Sequence, residues 1–228
     1  MENIYKNKNR RVPGKKISLD WAKKTEKEFD ERANDFGAFP KATGSIKLRN
    51  EVRKKVGELL VYKKNILEVG VGNGLMFEYL KKKVSYTGLD LSVKMLTQAK
   101  KRALQYSISF YPIQGNAIDL PFKENSFDST ICIDTLHHIP PEMVNRVVEE
   151  LIRVTKKNGQ ILLEIKNGLN LIVRYLYWEA QKRGALIMHP LNPFAVKRYI
   201  NKKNLKIRTY FIGPGYWLAP FILFEIRV

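Results

Sequence analysis

From residue 46 onward, short apolar runs alternate with amphipathic stretches, the pattern of a mostly parallel sheet wrapped by helices. The apolar runs are NILEVG (65–70), SYTGLDL (85–91), SISFYPIQ (107–114), STICID (129–134) and QILLEI (160–165). Two more strands are predicted around 205–212 and 221–228. STICID is apolar enough to lie at the sheet centre. Helical spacing appears over 21–36 (Trp21, Phe29, Ala33, Phe36) and in IKLRNEVRKKVGELL, where Ile46, Val52, Val56, Leu59 and Leu60 share a face. Further helices are predicted over 74–82, after an N-capping Ser92, from Pro140-Pro141 through 154, near 170–183 and near 193–203. Gly159 ends the turn before the fifth strand. The predicted fold is α/β, doubly wound, with a mostly parallel seven-stranded sheet. An N-terminal helical extension precedes it, and an insert follows the fifth strand. No repeat or low-complexity linker interrupts the chain.

Composition narrows the class. At 228 residues and 44% hydrophobic content the chain holds one generous core, and no apolar run nears the roughly 20 residues of a membrane span. The first 16 residues lack an apolar segment after their basic residues, so they do not read as a secretory signal. A single cysteine, Cys132, excludes an internal disulfide and a cysteine-based zinc site, and it lies in an apolar strand as a core residue. No metal is expected, and a cytoplasmic address is the default.

Charge is less decisive. Forty-one Lys and Arg against 22 Asp and Glu give +19, which favours polyanions: RNA, an anionic membrane surface or phosphorylated substrates. The excess is uneven. Residues 1–16 carry six basic groups against one acid, and 156–208 carry twelve against two. Residues 119–150 reverse the sign, with seven acids against two basic groups. Residues 1–20 read as a basic arm with a break at Pro13-Gly14.

The chemistry concentrates where the first strand meets the first helix, in EVGVGNG (68–74). Glycines there allow a sharp turn and close approach to a ligand. A nicotinamide fingerprint fails on spacing, because its last glycine falls on Leu75 or Phe77. Asp90 ends the second strand, where an acid in an open α/β sheet can bind both hydroxyls of a ribose.

ILEVGVGNG, YTGLDLS, GNAIDLPFKENSFD, ICIDTLHHIP and EELIRVTKKNGQILLEI, in this order, resemble the class I S-adenosylmethionine-dependent methyltransferases. The similarity is strongest to the small-molecule group called methyltransferase type 11, and it covers roughly 46–166. It implies a Rossmann-like sheet with S-adenosylmethionine as cofactor. Glu68 and the backbone of Gly70, Gly72 and Gly74 would contact the amino acid part, and Asp90 the ribose. Leu91 and Met95 would pack near the adenine, and Asn116 and Ala117 would address its edge. Asn116 departs from the family, which usually has Asp there; an amide oxygen can still accept a hydrogen bond. Ile133 and Asp134 would face the methionine portion. The acidic 119–150 stretch suits a cationic sulfonium.

Transfer from a sulfonium is a direct displacement, and a base is needed only when the acceptor must lose a proton. His137 and His138 follow the fourth strand and are the candidates. The Asp/Asn-Pro-Pro-aromatic stretch of base-amino methylases is absent, since Asp134-Thr-Leu-His137 stands in its place.

The acceptor is expected to meet an arm and helical lid over 1–45 and the insert over 167–193 of a domain spanning 46–228. The lid, WAKKTEKEFDERANDFG, resembles a segment of quinone-type methyltransferases. The insert mixes Tyr175, Tyr177 and Trp178 with Arg174, Lys182 and Arg183, a composition suited to an apolar acceptor or a membrane interface, though equally that of a helix packed on the domain. The leading reading is a small-molecule methyltransferase with a lipid-, quinone- or saccharide-like acceptor. An RNA methyltransferase and a non-catalytic cofactor binder of the same fold are the alternatives. Either an RNA or an anionic membrane surface would be met through the arm and the insert. The location would then be cytoplasmic, with membrane-peripheral as the variant; oligomeric state is left open.

Overall fold

A computed structural model of the chain describes residues 15–33, 46–60, 64–80, 84–183 and 188–228, with side chains from Asp20 onward. The sheet is seven-stranded: β1 (Asn65–Val69), β2 (Ser85–Asp90), β3 (Ser109–Gln114), β4 (Phe127–Cys132), β5 (Thr155–Lys166), β6 (Lys206–Ile212) and β7 (Phe221–Arg227). Their order is β3-β2-β1-β4-β5-β7-β6, and only β7 runs antiparallel to its neighbours. Among the described residues six α-helices accompany them: α1 (Lys15–Arg32), α2 (Ile46–Leu59), α3 (Val93–Tyr106), α4 (Pro141–Val154), α5 (Leu171–Lys182) and α6 (Pro193–Asn201). Strand order reverses between β1 and β4. The crevice outside their carboxyl ends is therefore where a ligand of an open α/β sheet sits.

Local chemistry places the helix starts. The Ser92 hydroxyl accepts from Met95 N to cap α3, as its position in the sequence predicts. Asn170 and Asn192 cap α5 and α6 in the same way, and Pro141 occupies the first turn of α4. Helices on the two faces close two apolar cores. One holds Leu67, Phe122, Phe127 and Leu151; the other holds Ile66, Phe77, Tyr86 and Ile131.

Four elements depart from the sequence reading. The predicted helix over 74–82 is a short 3-10 turn, Leu75–Tyr79. Met76 and Phe77 are both buried, and Phe77 packs edge-on against Tyr86 and Phe110, which draws the segment onto the second core. Ile46 is 50% exposed, so the buried apolar face of α2 consists of Val52, Val56 and the following Leu60, with Arg53 buried beside them. Helix α1 begins at Lys15, making the end of the expected arm helical; Phe36 and the rest of 34–45 lie outside the described residues, as do 1–14. Finally, β5 starts at Thr155 rather than after Gly159, because Asn158 (φ 61°) and a register shift opposite Phe127 and Ser129 turn that segment into a bulge.

Helix α1 crosses onto the domain. The Trp21 indole N–H donates to the His138 carbonyl at 2.9 Å, and Asp30 accepts from the Ser92 hydroxyl at the start of α3.

Candidate active site

The turn after β1 carries three glycines at positive φ: Gly70 (78°), Gly72 (52°) and Gly74 (78°). At Gly70 the reason is steric as well as conformational. A Cβ there would lie 2.1 Å from Thr135 Oγ1, on the loop after β4. The turn thus packs directly on the neighbouring loop across the switch point. Its backbone is also tied to β2. Gly72 N donates to Asp90 Oδ2 at 2.8 Å, and Ser92 N donates to Asp90 Oδ1 at 3.0 Å. Burial pushes the Asp90 carboxyl up to about 6 against these hydrogen bonds.

Three more carboxyl groups stand at or near the carboxyl ends of adjacent strands. Glu68 on β1 is 3% exposed and accepts from the Tyr86 hydroxyl at 2.7 Å. Burial raises it to about 8 despite that bond and the Arg53 charge. Asp134, just past β4, sits at φ 51°, in the left-handed region that a non-glycine residue seldom adopts. Its Oδ2 pairs with Arg53 at 2.8 Å, its Oδ1 pairs with Lys166, and its backbone N donates to Glu164 Oε2 at 2.7 Å. Burial opposes ionisation of Asp134, but Lys166, Arg49 and Arg53 outweigh it and hold the group well below its usual range. Glu164 on β5 lies 2.9 Å from Lys166 Nζ, and its burial raises it. Lys166 also stands 4.0 Å from the centre of the Phe221 ring. The crevice is therefore walled by four acids: Asp134 is well matched by cations, whereas Glu68 and Asp90 are held by hydrogen bonds at the expense of burial.

His137 and His138 form a short 3-10 turn directly beyond Asp134, their rings 4.0 Å apart. Phe29 of α1 meets the His138 ring edge-on at 5.1 Å, and the Tyr177 ring of α5 lies 5.7 Å from that of His137. Burial lowers both imidazoles, His138 to about 3, so both are neutral at pH 7. His138 Nδ1 and the Tyr177 hydroxyl are buried without a hydrogen-bond partner among the described residues. His189 meets this site through its backbone, donating to the His137 carbonyl at 2.7 Å.

The residues named from the sequence converge on one end of the sheet, with differences in how they are used. Asn116 Oδ1 accepts from Ile118 N and shapes its own turn. Met95, Ala117 and Ile133 are buried, while Leu91 is half-buried and its carbonyl accepts from Gln114 Nε2. Sequence reasoning missed Tyr86, Arg49, Arg53, Glu164 and Lys166, and placed Tyr177 in the acceptor-facing insert without its contact to the His137 ring. Glu164 and Lys166 left a signal, being two charges on one face of a strand otherwise buried from Gly159 onward.

Residues 67–163 match the family model described as a methyltransferase domain. The chain is 33% identical over 103 residues to the phosphatidylethanolamine N-methyltransferase of Cereibacter sphaeroides, covering 43% of this chain and 48% of that protein. It is 33% identical over 124 residues to the demethylmenaquinone methyltransferase of Listeria monocytogenes, covering 51% and 52%. The chain thus spans about half the length of these curated relatives. The magnesium protoporphyrin IX methyltransferase of Synechocystis, solved with bound S-adenosylhomocysteine, superposes with a TM-score of 0.69 over 92% of this chain and 100% of that one, at 15% identity. The glycine turn, Glu68, Asp90 and Asp134 all lie within the segment 67–163 that is similar to the methyltransferase domain, on the fold shared with that S-adenosylhomocysteine-bound methyltransferase.

Proposed function

We propose that the chain transfers a methyl group from S-adenosylmethionine to a small apolar acceptor of lipid- or quinone-like chemistry. The observation that carries this reading is the pair Glu68 and Asp90, a buried and a half-buried carboxyl raised to about 8 and about 6 beside a positive-φ glycine turn. A cationic ligand favours the ionised form of such groups, since it brings a countercharge on binding.

When bound, the cofactor supplies an electrophilic methyl group on sulfur. The chain's own residues hold it, orient the acceptor and exclude water. Asp90 takes the ribose hydroxyls, with Leu91 and Met95 beside the adenine and Asn116 and Ala117 at its edge. Glu68, Ile133 and Asp134 serve the methionine end with the backbone of Gly70, Gly72 and Gly74. Arg53 and Arg49 stand near enough to Asp134 to receive a carboxylate there. A histidine at about 3 is a weak proton acceptor, so His138 orients the acceptor through its free Nδ1 rather than removing a proton. Helix α1, through Trp21 and Phe29, covers this side of the site, which supports the lid role of 1–45 over the domain 46–228. The relatives whose names mention phosphatidylethanolamine and demethylmenaquinone support an apolar acceptor.

The test is calorimetric titration with S-adenosylmethionine and S-adenosylhomocysteine, with NADH as control. Transfer from methyl-labelled cofactor into lipid extract, quinones and total RNA follows. Micromolar binding with label entering the organic phase is expected. Label in RNA, or binding without transfer to any arm, overturns the acceptor assignment.

A further inference from the structure

Helix α5 has two unlike faces. Val173, Tyr177 and Ala180 point inward and form a small cluster with Met188, apart from the two main cores. The outward face carries Leu171 (74% exposed), Ile172 (69%), Tyr175 (58%) and Trp178 (51%). These positions fall on one stripe of a 3.6-residue helix. An ordinary solvent-facing helix does not present four large apolar side chains in a row.

The patch does not end with the helix. The turn after β6 exposes Tyr216 (74%) and Trp217 (50%). Asn170, the cap of α5, donates to the Leu218 carbonyl at 2.6 Å, and Asn167 donates to the Trp217 carbonyl at 3.0 Å. These two bonds staple the aromatic turn to the N-terminus of α5, where the exposed stripe of the helix begins.

Charge identifies what covers it. On α5 and its C-cap, Arg174, Lys182 and Arg183 stand against the single acid Glu179, in a chain of +19. Glu179 is itself paired with Arg183, and Lys182 lies 3.5 Å above the Trp178 ring, extending its ammonium from the apolar stripe. Aromatic rings flanked by lysine and arginine match the boundary between acyl chains and anionic headgroups. No helix among the described residues is long and apolar enough to cross a membrane, so attachment at this boundary is peripheral.

We infer that the outer face of α5 and the 216–218 turn dock the chain on an anionic lipid bilayer. The inner face of the same helix carries Tyr177 to the His137 ring. Docking therefore sets the acceptor side of the site beside the lipid, where an apolar acceptor is dissolved. This deepens the lipid- or quinone-like reading and rests on it, yet vesicle binding needs neither cofactor nor turnover, so the two fail separately.

The test is flotation of the full chain with vesicles of phosphatidylcholine and phosphatidylglycerol, against pure phosphatidylcholine. Tryptophan emission is read alongside, with brominated lipid as quencher. The chain has three tryptophans, and Trp21, bonded to His138, is the internal reference. Binding to anionic vesicles, weakened by salt, with a blue shift quenched by bromine, is expected. Trp178→Ser with Trp217→Ser should lower the partition coefficient about tenfold or more, with melting temperature and cofactor titration unchanged. Arg174→Glu with Lys182→Glu should abolish the preference for anionic lipid. Equal flotation of the tryptophan double variant overturns the docking surface. So does a wild-type chain that stays in solution, a dimer that buries Trp178 without lipid, or RNA displacing the chain from vesicles through the same tryptophans.

Discussion

The Gly72 backbone N–H donates to Asp90 Oδ2 at 2.8 Å, so the carboxylate proposed to hold a ribose also fixes the glycine turn beneath it. One side chain thus orders the two parts of the crevice that come from different strands. Asp90→Ala removes both functions and should weaken S-adenosylmethionine binding by about 1.5–3 kcal/mol in calorimetry. Asp90→Asn retains an acceptor oxygen for Gly72 and should keep the melting temperature closer to wild type while still losing affinity. Unchanged affinity in the alanine variant removes Asp90 from the ribose.

Glu68 ties stability to pH. Its carboxyl rises from 4.5 to about 8 on folding, chiefly through burial. Between those values the folded chain binds more protons than the unfolded one, so stability falls as pH rises. Asp90 adds the same sign between 3.8 and about 6. Above pH 6.5 the depressed histidines no longer oppose this slope, so the cofactor-free chain should lose melting temperature from pH 6.5 to pH 8. Glu68→Gln keeps an oxygen for the Tyr86 hydroxyl without the buried charge; it should melt higher at pH 8 and flatten the slope. A wild-type profile that rises over this window contradicts a buried, uncompensated Glu68. Cofactor affinity should climb over the same range, as a cation favours the ionised forms.

Much of this arrangement is legible in the sequence, for reasons that are local. Apolar period, glycine spacing and the capping of Ser92 are set by residues within a few positions of each other, and these predict the strands, the turn and α3. What escapes is what the sheet brings together. Tyr86 meets Glu68 only because β1 and β2 are paired, and Lys166 meets Asp134 only because β4 and β5 are. The 3-10 turn Leu75–Tyr79 is likewise decided by Phe77 inserting between Tyr86 and Phe110, two residues of other strands. Asn116 is read for its acceptor oxygen from sequence, whereas the fold turns that oxygen to Ile118 N.

The histidine pair yields a prediction about rate. Burial is the main cause of lowered proton affinity in both imidazoles, and His138 falls to about 3. Turnover should then show no inflection near pH 6.5 from a free histidine. His138→Ala should raise KM for the acceptor and lower kcat, with cofactor affinity unchanged. A bell-shaped or sigmoidal kcat profile centred near 6.5 that vanishes in His138→Ala would instead establish a titrating base. The linkage sign is opposite to that of Glu68. Depressed bases are neutral when folded, so the stability they contribute is present above pH 6.5 and is lost as pH falls toward their folded values.

The sharpest stability prediction concerns Lys166, which is 2% exposed and lies between two carboxylates, Asp134 and Glu164. A buried ion pair is weak support for a fold as long as both partners remain, because desolvation offsets much of the attraction. Removing one partner is different, since the charge left behind stays buried without its countercharge. Lys166→Met fills similar space and keeps an apolar contact for the Phe221 ring, so little of its cost comes from packing. It should destabilise the chain by about 3–5 kcal/mol in urea unfolding at pH 7. Asp134 retains Arg53, so the uncompensated acid is Glu164, and Lys166→Met with Glu164→Gln should recover most of the loss. Additive losses in the double variant would show that Lys166 acts through its stem rather than its charge. Recovery would mean that the ammonium is there to let Glu164 anchor Asp134 N at 2.7 Å, the bond that holds Asp134 in its left-handed conformation at the mouth of the site.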